Sequence, residues 1–121
     1  MNSSATTSGV YALAGSIIFL GTLMGGMAFP FLAKRVSPNS TFGFRTAKTL
    51  SNPETWYTAN IFMAKAMLVA AFIMIVLGTL LILWCRTGKF SNLILSRIGL
   101  VFEVIPLFLL LIVLYIYHRT L

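Results

Sequence analysis

The side chains able to do chemistry in this chain are few. Its 121 residues include two carboxylates, Glu54 and Glu103, one histidine, His118, and one cysteine, Cys85. A protein metal centre draws three or four ligands from histidine, cysteine and carboxylate side chains, and these four residues are scattered along the sequence. A hydroxyl or thiol nucleophile needs a base beside it, and His118 lies in a terminal aromatic-basic run, Tyr115 to Arg119, that reads as a surface belt. A single cysteine closes no disulfide within one chain. No cofactor, metal or enzymatic reaction is expected.

Two polar features remain. The first is the stretch Asn39 to Asn60, NSTFGFRTAKTLSNPETWYTAN, the longest run without apolar character. It contains Arg45, Lys48 and Glu54. A guanidinium presents a planar fork that a carboxylate accepts in two bonds, so Arg45 is the expected partner of Glu54. Gly43 just before it permits a tight backbone turn. The second feature is Glu103, between Phe102 and Val104. A carboxyl inside an apolar span is costly and usually faces other protein helices. Counting inward from the flanking polar residues puts Ser16 and Thr79 at its depth, while Lys65 lies roughly 15 Å away along the membrane normal. Hydroxyl partners, Ser16 or Thr79, are therefore expected for Glu103. Lys65 is expected to extend its ammonium back toward the interface.

The elements that position these residues follow from composition. Hydrophobic residues make up 59% of the chain and charged residues 9%, a balance outside the soluble range. Three apolar runs are long enough to cross a bilayer, which takes about 20 residues. They predict helices over about 10–33, 53–84 and 92–117. The second would run roughly 48 Å at 1.5 Å per residue, so its first two turns fall at headgroup level. Trp56 and Tyr57 are expected there as interfacial aromatics that cover a loop folded back on the start of this helix. Ser51 or Asn52 caps that helix, Pro53 suits its first turn, and Glu54 suits its positive end. Pro30 is expected to bend or end the first helix. Gly21 and Gly25, four apart, suit close packing against the chain's other helices. Residues 1–9, rich in serine and threonine, read as an unstructured tail. The expected fold is an all-α membrane protein of one domain, residues 1–121. Three transmembrane helices carry a polar cytoplasmic loop between the first and second.

The net charge of +7 would suit a nucleic-acid partner in a soluble protein. Here the basic residues flank apolar spans, so they are read as orienting signals and membrane lipid as the partner. Lys34, Arg35, Arg45, Lys48 and Arg119 lie on one side, against Arg86, Lys89 and Arg97 on the other. This predicts a multi-pass protein of the cell membrane with its N-terminus outside and its C-terminus cytoplasmic.

Asn39, Gly43-Phe44-Arg45-Thr46, Thr49, Asn52-Pro53-Glu54, Trp56 and Ala59-Asn60 together resemble the signature loop of the SdpI family. These are small bacterial integral membrane proteins named after an immunity protein against a secreted peptide toxin. The resemblance is dense over about 22 residues and looser through the helix that follows. It implies protection against, or sensing of, a membrane-active peptide, with a toxin peptide or a cytoplasmic regulator as partner. It also marks Asn39, Gly43, Arg45, Thr46, Thr49, Asn52, Glu54, Trp56 and Asn60 as the functional loop. Two other readings stand beside it. One is an accessory or assembly subunit, packed on a larger membrane complex or on copies of itself. The other is a small oligomeric transporter using Glu103.

Overall fold

The computed structural model describes residues 6–121. Among them the regular structure is entirely helical: α1 (Thr7–Leu32), α2 (Pro53–Thr87) and α3 (Asn92–Thr120). Each is long and apolar enough to cross a membrane, which makes this a multi-pass membrane protein. Each helix opens on a side-chain cap. Thr6, Asn52 and Ser91 accept from the backbone N–H of Gly9, Thr55 and Ile94, satisfying donors that a helix start leaves unpaired. Pro53 fills the first turn of α2, and Gly88, with φ 69°, ends it.

The start of α1 corrects one expectation. Residues 1–5 of the expected tail lie outside the described residues, but Thr7 to Gly9 are helical, because the Thr6 cap starts the helix there. Pro30 stands inside α1 and the helix runs two residues past it. The actual stop is a pair of bonds, Arg35 N to the Pro30 carbonyl at 2.9 Å and Lys34 N to that of Phe31 at 3.1 Å. Lys34 takes the left-handed conformation this ending needs, φ 56°.

The tightest pairing is α1 on α2. A Cβ at Gly21 would stand 3.0 Å from the Ala71 carbonyl oxygen, and one at Gly78 3.1 Å from that of Ala14. These two glycines let the backbones approach where lipid offers no hydrophobic force to press helices together. Val10, Ala14, Ile17, Met74, Leu81 and Leu95 form the main core, and Ala28, Phe31, Met63 and Ala64 a second one toward the loop. α3 joins the main core near its start, through Leu95 and Gly99. Further along, Pro106 is buried, Leu107 packs on the main core and Leu114 on the second, while Val104, Phe108 and Leu111 are more than half exposed. The last turns of α3 reach the loop end of α2, where the Tyr117 ring stacks on Phe62 at 3.9 Å and 11°.

Candidate functional site

The polar stretch folds as a connected set of side-chain-to-backbone bonds. Asn39 opens it as a turn. Its Oδ1 accepts from Thr41 N at 2.9 Å and Phe42 N at 2.6 Å, while its Nδ2 donates to the carbonyls of Ser37 and Phe42. Gly43 follows with φ 121°, a conformation that other residues rarely adopt. Space forbids a side chain there as well. A Cβ would stand 2.8 Å from Asn60 Oδ1 and 2.9 Å from the Trp56 ring.

This close approach brings the Phe44 backbone onto α2. Phe44 N donates to Asn60 Oδ1 at 2.7 Å, and Asn60 Nδ2 donates to the carbonyls of Trp56 at 2.9 Å and Phe44 at 3.4 Å. Asn60 is 2% exposed, so its amide replaces the water that the Phe44 backbone would otherwise need. Trp56 is fully buried, and its Nε1 donates to the Val36 carbonyl at 2.9 Å. The loop packs against Trp56 at the start of α2, and the ring is buried beneath it. An indole N–H buried this way needs a protein acceptor. Thr46 and Thr49 close the loop with one helical turn. Thr46 N donates to Thr49 Oγ1 at 2.8 Å and Thr49 N to Thr46 Oγ1 at 3.2 Å, with Thr49 fully buried. Asn52 Oδ1 then accepts from Thr55 N at 2.8 Å and begins α2.

Arg45 does not pair with Glu54. Its Nε donates to the Asn39 carbonyl at 2.8 Å. The Asn39 turn presents that oxygen to the guanidinium. Glu54 stays exposed in the first turn of α2, where the helix dipole favours a negative charge without a partner.

A residue expected only at the surface belongs to this site. His118 Nε2 lies 2.9 Å from Thr46 Oγ1, and Lys48 Nζ donates to the His118 carbonyl at 3.3 Å. The end of α3 is thereby tied to the loop. The partners are 72 residues apart in sequence, and no local signal in the sequence points to the contact.

Within the spans, Ser16 Oγ donates to the Leu13 carbonyl at 2.7 Å and lies within hydrogen-bond distance of Glu103 Oε1, at 3.1 Å. Thr79 does not join them. It is exposed, and its hydroxyl donates to the Ile75 carbonyl at 2.8 Å, an acceptor one turn back that any helical threonine can reach. Lys65 is exposed and stands apart from Glu103. It is among the residues that line an apolar groove of about 690 Å³ between α2 and α3.

Comparison with known proteins bears directly on this geometry. The SdpI/YfhL protein family matches residues 35–118. The chain belongs to this family. The match takes in the loop from Arg35, all of α2, and α3 through His118. No curated protein and no solved structure matches the chain. In this SdpI-family protein Asn39, Gly43, Thr46, Thr49, Asn52, Trp56 and Asn60 share one physical task. Their polar atoms, or in Gly43 the missing side chain, are spent inside the loop. Among the described residues no buried side-chain nitrogen or oxygen lacks a partner. The charges that face outward are mostly basic: Lys34, Arg35, Arg45 and Lys48 are exposed, with Glu54 the one exposed carboxylate side chain among the described residues. Cys85 and His118 stand at opposite ends of the bundle, at the end of α2 and the end of α3. The arrangement can hold a fixed shape and present cations on it.

Proposed function

We propose that this SdpI-family membrane protein protects its cell against a membrane-active peptide, or senses one. The observation that carries the reading is the use of the family's loop residues. They are consumed in shaping a frame that is joined both to α2 and to the end of α3, and that frame carries exposed cations. A preorganised basic frame at the membrane surface suits recognition of an acidic partner, because the ordering cost is already met. The apolar helices below it meet whatever enters the bilayer. The distribution of lysine and arginine supports a cell-membrane protein with the loop and C-terminus in the cytoplasm and the N-terminus outside.

The test is growth under challenge. A peptide-sensitive host producing this protein should survive a secreted membrane-active peptide better than the same host without it. Gly43→Val, which deforms the frame, should remove that advantage, whereas Thr79→Ser should keep it. Equal sensitivity with and without the protein, across the peptides its own cell meets, rejects the reading. Orientation is tested by Ser40→Cys in a Cys85→Ser background, where labelling from outside by an impermeant reagent reverses the topology.

A further inference from the structure

The groove between α2 and α3 has a length, a floor and a charge that together describe an occupant. It runs along α2 from Phe62 to Leu77, about 22 Å at 1.5 Å per residue. That is most of the roughly 30 Å hydrocarbon core and longer than one leaflet of about 15 Å. A single lipid chain belongs to one leaflet and fills only part of it, whereas a helix crossing the membrane fills all of it. The floor includes Ala66 and Ala70, one helical turn apart on α2. Methyl side chains at that spacing let another helix backbone come close. At the loop end the groove reaches Phe62, whose ring is stacked on Tyr117.

The charge is Lys65, exposed at the groove's edge. A cation within an apolar span gains from an acceptor on whatever packs beside it. Among the described residues neither carboxylate stands there. Glu103 lies beside Ser16, and Glu54 is exposed in the first turn of α2. A second copy brings the same two carboxylates in the same places, so self-association leaves Lys65 unanswered.

We propose that this groove receives one apolar transmembrane helix of a different protein or peptide, carrying a carboxylate at the depth of Lys65. The natural source of that helix rests on the protective reading above. The groove itself is tested separately, with a designed helix. The full chain, carrying Cys85→Ser and an environment-sensitive fluorophore on Leu109→Cys, is reconstituted in phosphatidylcholine vesicles. The probe is a synthetic leucine-alanine transmembrane helix with a single Glu at the depth of Lys65, compared with the same helix bearing Gln.

The Glu helix should change the fluorescence saturably as its density in the membrane rises. The Gln helix should bind roughly three- to tenfold more weakly, the range of polar contacts between helices in lipid. Lys65→Gln should erase the difference between the two probes, and Ala66→Trp, which fills the floor, should abolish both signals. Lys65 is exposed, so its variant folds even if Ala66→Trp does not. Three outcomes overturn the proposal: Glu and Gln helices that bind the unaltered groove equally, a saturable response to phosphatidylglycerol alone, or a response that grows with protein density in the absence of any added helix. The second makes the groove a lipid site and the third a self-association face. Binding of the designed helix in a protein that gives no protection in cells rejects the protective reading and leaves the groove assignment standing.

Discussion

Around Asn60, α2 is wrapped by the loop, and the amide of that residue is bonded on both arms. About two and a half to three and a half turns further along the same helix, Val69, Phe72 and Ile73 are 42–71% exposed, and an open apolar groove lies between that stretch and α3. The contrast follows from the solvent each region meets. Apolar surface in a bilayer is already solvated by lipid, so nothing forces α3 to close on α2. A polar backbone folded against a membrane protein must find partners, because an unpaired buried donor costs about 1–3 kcal/mol. The loop end is therefore tightly specified and the groove is left open.

Breaking the specified end tests this contrast most directly. Asn60→Leu leaves Phe44 N without its acceptor and should cost on the order of 3 kcal/mol, seen as a large drop in Tm in detergent micelles. An unchanged Tm would mean that the loop does not depend on α2 at all. Gly43→Ala should follow at about 2 kcal/mol, from a strained φ and a Cβ crowding Asn60 and Trp56. Gly43→Asn, which tolerates a positive φ better, should fare no better if crowding dominates. His118→Ala should have a smaller effect, about 1 kcal/mol, confined to the tie between α3 and the loop. Faster hydrogen exchange at Thr49 and Leu50 with little change in Tm is the expected signature. Exchange unchanged there would show that the α3 end does not hold the loop. The smallest effect concerns Arg45 and Glu54. A double-mutant cycle with Arg45→Ala and Glu54→Ala should give a coupling near zero, under about 0.5 kcal/mol, because the two do not meet. A coupling above about 1 kcal/mol would restore the ion pair expected from the sequence.

Much of the fold was legible because its causes are local. Three apolar runs of spanning length, the cap at Asn52 with Pro53 behind it, and the hydroxyl of Ser16 at the depth of Glu103 were all readable from spacing. Thr79 was at the right depth too, but depth does not say which way a helix face turns, and its hydroxyl satisfied itself on Ile75. Trp56 is a related case. An aromatic at headgroup level suits lipid and a folded loop equally well, and only the path of the loop from Val36 to Phe44 decides between them.

By itself, the sequence determined the number of spans, where α2 and α3 start, the position of the polar stretch and the family to which it belongs. These depend on hydrophobic length and on bonds between residues three or four apart. Tertiary structure alone decided that Asn60 reads the backbone of Phe44, 16 residues away, that His118 reaches Thr46, 72 residues away, and that Arg45 turns to Asn39 instead of Glu54. The last depends on the path of the loop, and the first two on the angle at which one helix meets another element. That angle is set by small residues such as Gly21 and Gly78, whose packing partners lie on the opposing helix.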